Sequence, residues 1–298
     1  MIMDKIARAI AAGGEFRVVA AITTETVNEA VRRHKCSPTV AAALGRTMTA
    51  SLLLAASLKD SDRLTIRIEG DGPAGTIIAE ATAAGTVRGY VANPFAELPP
   101  KADGKFDVGG IVGKGMLHVI REIGTDLSVP LEPYVGSVPL VSGEIAEDIA
   151  YYLLTSEQIP SAVLLGVLLQ NTEPFVKASG GVMIQMMPGA NEHLITMIED
   201  TISHAPHLTS IINAETSPSD LMRHALGEIS YEILEEKPAR FECNCSRERA
   251  NAMLVSLGRD EMTAMMDEDG GAVITCGFCN EKYEIGGEEL RRLIDGEK

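Results

Sequence analysis

The sequence predicts an α+β protein: an N-terminal antiparallel sheet packed with helices, then a helical connector, then a small C-terminal module built around cysteines. Three observations carry this. Through residues 1–187 short β-branched runs alternate with glycine-rich breaks. From 188 to 240 apolar residues recur at helical spacing between polar breaks. Four of the five cysteines fall in the last 56 residues, as Cys243 and Cys245, then Cys276 and Cys279. A length of 298 residues allows one large domain or two unequal ones, each able to bury a core.

Residues 16–22 are apolar and β-branched enough for a strand. Ser37-Pro38 sets an N-cap serine before a proline at the first helical position, opening an Ala- and Leu-rich helix to about residue 58. Its apolar residues run nearly all round, which predicts burial. Runs at 63–69, 76–83 and 86–92, separated by Gly-Asp-Gly-Pro-Ala-Gly and Ala-Ala-Gly, read as an antiparallel meander. Residues 111–123 read as further strand broken by Gly113 and Gly115. Residues 142–156 read as a helix with Ser142 at its N-cap and acids in its first turn. Strands at 162–169 and 182–187 would close the sheet. In the connector, Ser217-Pro218-Ser219-Asp220 opens a helix that runs through Leu221, Leu226, Ile229 and Ile233. With nine acidic and three basic residues, 188–240 carries −6, yet it has too many Ile, Leu and Met for a solvated tether, so its apolar stripes need a partner surface. The last segment, 241–298, reads as a helix at 246–257 ended by Gly258, with a strand at 273–275 delivering Cys276.

The whole chain carries 26 basic and 42 acidic residues, a net charge of −16, which argues against nucleic-acid or anionic-membrane partners because either needs a clustered basic face. Hydrophobic residues at 45% and charged residues at 23% are a globular composition. Asp4 and Arg8 interrupt any apolar core at the N-terminus, so no secretory signal is read. The longest apolar runs, 51–56 and 162–169, fall far short of the ~18 residues of a membrane span. The expectation is a cytosolic protein, where paired cysteines serve as metal ligands or redox-active thiols rather than permanent disulfides. No catalytic triad, paired-carboxylate site or His-Glu-x-x-His motif is visible, which predicts a protein that is not an enzyme.

A module of 58 residues, from 241 on, buries only ~60% of its unfolded surface and needs a staple. Cys-Asn-Cys at 243–245 and Cys-Gly-Phe-Cys at 276–279 supply four thiols suited to one tetrahedral zinc, with Gly277 permitting the turn that aims the second pair. A purely structural zinc knuckle is the plain reading. Two features favour more. Structural zinc is worth about 10–16 kcal/mol, comparable with the about 5–15 kcal/mol stability of a domain, so metal loss would unfold the module. Close thiolate pairs can also oxidise to disulfides that no longer coordinate metal.

The order Glu-Glu-Lys-Pro-Ala-Arg-Phe-Glu-Cys-Asn-Cys-Ser at 235–246, then Cys-Gly-Phe-Cys-Asn-Glu-Lys-Tyr at 276–283, resembles the redox-switch end of the heat-shock protein 33 family. Upstream, Ser-Pro-Thr-Val-Ala-Ala-Ala-Leu-Gly-Arg-Thr at 37–47, Glu-Gly-Asp-Gly-Pro at 69–73, Val-Arg-Gly-Tyr at 87–90, Gly-Lys-Gly-Met-Leu at 113–117 and Val-Ser-Gly-Glu-Ile-Ala-Glu-Asp at 141–148 resemble its N-terminal domain. The resemblance covers essentially the whole chain. It implies an ATP-independent holdase chaperone of the cytosol, inactive while reduced and zinc-bound. It further implies that peroxide or hypochlorous acid, under unfolding conditions, joins Cys243 to Cys245 and Cys276 to Cys279, releases the zinc and unfolds module and connector. The active form would hold unfolding client proteins and form a homodimer. The implied divisions are a core at 1–187, a linker at 188–240 and a zinc-binding domain at 241–298.

Weaker signals have plainer readings. Gly70-Asp71-Gly72-Pro73-Ala74-Gly75 matches a dinucleotide pattern, but the strand-like run after it offers no helix N-terminus to a pyrophosphate, so it reads as a turn. Gly113-Lys114-Gly115 lacks the rest of a P-loop, so ATP binding is not supported. Cys36 follows the basic run Arg32-Arg33-His34-Lys35, which could activate it, yet a lone cysteine reads first as inert. His193, His204, His207 and His224 show no convergent ligand spacing and read as surface histidines. The methionines at 183–187 and 262–266 read as core filling. Two other functions compete: a zinc-ribbon adaptor for nucleic acid, opposed by the −6 charge of 241–298, and a thiol oxidoreductase at Cys276 and Cys279, opposed by the missing βαβ context.

Overall fold

The computed structural model describes residues 4–59, 62–123, 133–213 and 215–296. The chain forms two compact units, residues 1–242 and 243–298. In the first, β1 (Lys5–Ala11), β2 (Phe16–Ile22), α1 (Thr24–His34) and α2 (Pro38–Ala55) lead into the meander β3 (Arg63–Gly70), β4 (Thr76–Thr82) and β5 (Thr86–Val91). Next come α3 (Val108–Val112), β6 (Gly115–Glu122), β7 (Tyr134–Pro139), α4 (Ala146–Thr155), β8 (Ser161–Leu169) and β9 (Val176–Met186). The unit ends with α5 (Glu192–His204), α6 (Pro218–Leu226), β10 (Tyr231–Pro238) and the short β11 (Arg240–Phe241).

The strands make two sheets where the sequence suggests one. One runs β10-β1-β2-β9-β8 and is antiparallel; the other runs β11-β5-β4-β3-β6-β7, antiparallel except where β11 lies parallel to β5. Helix α2 lies between them, touching β3, β4 and β5 on one side and β2, β8 and β9 on the other. That sandwich is why its apolar residues run all round: Val40, Leu44, Met48, Leu52 and Leu53 are buried, as are Thr47, Thr49 and Ser51. The three hydroxyls stay satisfied by donating to the carbonyls of Ala43, Gly45 and Thr47. Gly45 admits the close approach, since a β-carbon there would stand 2.7 Å from a Val27 methyl and 2.8 Å from one of Val167. The helix starts at Pro38 as expected, but the Ser37 hydroxyl donates to the Ala96 carbonyl instead of capping.

Three local expectations change. The stretch at 111–123 is a strand only from Gly115; residues 108–112 are a one-turn helix whose C-cap, Gly113, has φ +76°. The helix read from Ser142 begins at Ala146, because Asp148 folds back on the preceding loop. Its Oδ1 accepts from the N–H groups of Val141 (2.7 Å), Ser142 (3.0 Å) and Gly143 (3.3 Å), and its Oδ2 from Ile145 (2.8 Å). The connector is helical only in part. Ser217 and Asp220 form the expected capping box, but Gly227 at φ +60° ends α6, and the residues read as its continuation to Ile233 turn into β10.

Strand β10 pairs with β1, with Lys5–Glu236 at 2.7 Å and Arg8–Glu235 at 2.8 Å as cross-strand ion pairs. The ladder slips between Arg8 and Ala9, leaving Leu234 as an extra, exposed residue on the edge strand. Helix α6 packs on β1, β2 and β9, burying Leu221, Met222, Ala225 and Leu226 against Phe16, Val18 and Ala20. The five-stranded sheet is thus covered on one face by α2 and on the other by the connector.

Asp148 is fully buried, and removing its carboxylate would leave four N–H groups without acceptors. Asp148→Ala should destabilise the first unit by about 3 kcal/mol, lowering the urea midpoint followed by circular dichroism by about 1 M. An unchanged midpoint would refute this role.

Candidate metal centre

The second unit consists of α7 (Arg247–Leu257), α8 (Arg259–Asp269), β12 (Gly271–Thr275), β13 (Lys282–Gly286) and α9 (Gly287–Asp295). Its buried core is small: Leu254, Met262, Ile285 and Leu290, with Met265, Met266, Ile274 and Tyr283 packed around them. The methionines at 262–266 are core filling here, as Met183 is in the first unit.

Cys243 and Cys245 precede α7, whose start is fixed by the Arg249 N–H donating to Ser246 Oγ at 3.3 Å and whose end is Gly258 at φ +95°. Cys276 and Cys279 sit in the turn of the β12–β13 hairpin, which is antiparallel from Gly271↔Gly286 to Thr275↔Lys282. The turn closes with the Cys276 N–H donating to the Glu281 carbonyl (2.9 Å) and the Asn280 N–H to the Cys276 carbonyl (2.8 Å). The left-handed residue is Asn280 at φ +59°, not Gly277, whose β-carbon position is open. The turn therefore rests on an asparagine's tolerance of that conformation rather than on glycine.

All four sulfurs lie within 4.8 Å of one another, Cys243–Cys276 at 3.7 Å and Cys245–Cys279 at 3.4 Å. Zn–S bonds of about 2.3 Å in a tetrahedron would put sulfurs about 3.8 Å apart, so the donor set fits a closed four-thiolate site and could hold a metal ion. Burial comes first in pushing the Cys276 and Cys279 thiols above their usual range; neighbouring sulfurs add to it at Cys279, while at Cys276 the Cys279 sulfur opposes it. A bound dication reverses that preference, since coordinating thiols are deprotonated outright. The Tyr283 hydroxyl donates to Cys245 Sγ at 3.1 Å. Sequence reasoning met Tyr283 only inside a motif; its placement on β13, one hairpin register from the cysteine turn, was the available signal.

Among the described residues no other group of His, Cys, Asp and Glu converges in this way. His204 sits exposed beside Asp200, and His224 Nε2 lies 2.9 Å from the Pro206 carbonyl. Cys36 is half-buried, and burial pushes its thiol up to about 12, overriding the basic run beside it. The segment 70–75 is a turn that leads into β4, with Asp71 Oδ1 accepting from the Lys114 N–H at 2.7 Å. No helix of the described residues is long and apolar enough to cross a membrane.

An α+β core joined to a four-cysteine module defines a two-unit protein with a thiol cluster that could hold a metal ion. The family model described as Hsp33 protein matches residues 4–286. The "33 kDa chaperonin" of Desulforamulus reducens is 48% identical, covering 98% of this chain and 97% of its own. That of Bacillus subtilis (strain 168) is 46% identical, covering 98% and 99%. The crystal structure of the 33 kDa chaperonin from Thermotoga maritima superposes with a TM-score of 0.90 at 36% identity, over 99% of both chains. The chain belongs to the Hsp33 family, a family of chaperones.

Iodoacetamide labelling of the reduced protein at pH 7.5, read by mass spectrometry, should modify Cys36 about a thousandfold more slowly than an unperturbed cysteine, since its thiolate is that much scarcer. Labelling at the rate of a free thiol would contradict the burial argument.

Proposed function

We propose that this chain is a redox-switched, ATP-independent holdase of the cytoplasm, acting by binding unfolding proteins rather than by catalysis. The observation that carries it is four thiols gathered within 4.8 Å in a unit whose buried core is four residues, in a chain of the Hsp33 family. Cys243, Cys245, Cys276 and Cys279 hold one zinc ion in the reduced form. Bound there, zinc keeps the sulfurs as thiolates and joins the residues before α7 to the β12–β13 turn.

Oxidation acts on the sulfurs. Each pair of sulfurs gives up two electrons to one peroxide, whose oxygens leave as two waters with two protons taken from solvent, forming a disulfide, and a disulfide sulfur no longer serves as a thiolate ligand. The proposed pairs are Cys243–Cys245 and Cys276–Cys279. The sulfur contacts of 3.7 and 3.4 Å in the folded cluster join instead residues 33 and 34 apart. Chain entropy supports the local pairs: once the site loosens, a short tether keeps them together while a long loop parts the others.

The linker at 188–240 then lets go. Helix α6 buries Leu221, Met222 and Leu226 on the sheet, each worth roughly 2 kcal/mol only while docked. Freed, that apolar surface and the sheet face beneath it hold clients, with the −16 charge keeping complexes dispersed and the active form a homodimer. In this division 1–187 remains folded and 241–298 is the switch.

Reduced protein should contain one zinc per chain and leave an unfolding client to aggregate. Peroxide under mild heat should release that zinc, consume four thiols and suppress aggregation. Equal suppression by the reduced, zinc-loaded protein would refute the switch, and turnover in an insulin-reduction assay would favour an oxidoreductase.

A further inference from the structure

The four sulfurs are held by different means. The N–H groups of Cys279 and Phe278 are aimed at Cys276, and that of Glu281 at Cys279, all fixed by the turn itself. Cys245 receives a side-chain hydroxyl from Tyr283, 38 residues along the chain, at 3.1 Å. The Tyr283 ring packs on the unit's core, which fixes where the hydroxyl points. We propose that Tyr283 is a positioning residue of the switch: its hydroxyl holds the Cys245 sulfur toward the other three and restrains its reaction with peroxides.

The reason is electronic as well as steric. A donated hydrogen bond engages the same sulfur electron density that attacks an oxidant, and hydrogen-bonded partners of metal ligands orient them and tune affinity. In the step concerned, the Cys245 sulfur attacks one oxygen of hydrogen peroxide, the O–O bond breaks, and the departing hydroxide takes up a proton to become water, leaving a sulfenic acid. The Cys243 sulfur then attacks Cys245, the S–O bond breaks, and the hydroxyl leaves as a second water. Two thiols lose two electrons in all and the peroxide gains two. Tyr283 is not consumed; its hydroxyl sets how readily the first attack occurs.

This inference rests on the redox reading above. Its test is Tyr283→Phe, which removes one oxygen and keeps the ring. Reduced, zinc-loaded protein is treated with hydrogen peroxide, quenched by alkylation at intervals, and the two pairs are followed separately by mass spectrometry. The variant should oxidise Cys243 and Cys245 about tenfold faster, with Cys276 and Cys279 within twofold of wild type, and chelator competition should show zinc held about tenfold more weakly. Ile285→Ala, at a buried core residue away from the hydroxyl, is the control for loosening and should speed both pairs together. If Tyr283→Phe also speeds both pairs together, or changes neither, the positioning role is overturned. If wild type never forms a Cys243–Cys245 disulfide, the switch reading fails; Tyr283 is then judged by the chelator competition, where unchanged affinity overturns it.

Discussion

The second unit depends on one constraint: 56 residues with four buried core side chains must be tied at both ends of their fold. Small domains of this size bury too little to stand without a staple. The four sulfurs gather where such a staple would act, between the chain that enters α7 and the turn between β12 and β13. Elements that look independent serve that convergence. The Ser246 cap fixes the helix beside Cys245, the left-handed Asn280 closes the turn beyond Cys279, and the Tyr283 hydroxyl meets the Cys245 sulfur.

The first unit has the opposite economy. Its central helix α2 is buried between two sheets, and of the described connector residues only Ala239, at the connector's end, enters that core. The second apolar cluster does: α6 and neighbouring connector residues cover the far face of the five-stranded sheet, and β10 is added to its edge. Each ion pair on that edge strand is exposed enough to contribute little, so its hold comes from the ladder and the α6 side chains. A segment that covers apolar surface, carries −6 and adds an edge strand is the part of the unit that the proposed switch would release.

Local chemistry was legible in the sequence and distant pairing was not. The strand at 16–22 and the helix from Pro38 follow from composition and capping, and the all-round apolar pattern of α2 announced its burial. The four cysteines announced their own cluster through close pairing. Strand β10 was hidden because its partner is β1, with Glu236 meeting Lys5 across 231 residues, and because glutamates break the alternating pattern of a buried strand. The start of α4 was misplaced because Asp148 spends its carboxylate on the loop before the helix, a choice that depends on three-dimensional crowding. Gly277 looked like the turn's hinge on composition, yet Asn280 takes that conformation. Tyr283 stood out only as the last residue of the 276–283 motif; the fold brings its hydroxyl to a sulfur.

The central claim is that oxidation of four sulfurs loosens the connector as well as the module that carries them. Hydrogen exchange followed by mass spectrometry on the full chain, reduced with zinc and then oxidised, tests it most directly. The account predicts that amides in 188–240 and 243–298 lose protection together on oxidation while those of α2 and β2 stay protected, in step with the rise in aggregation suppression. Full protection of 188–240 in an oxidised, active protein would contradict it.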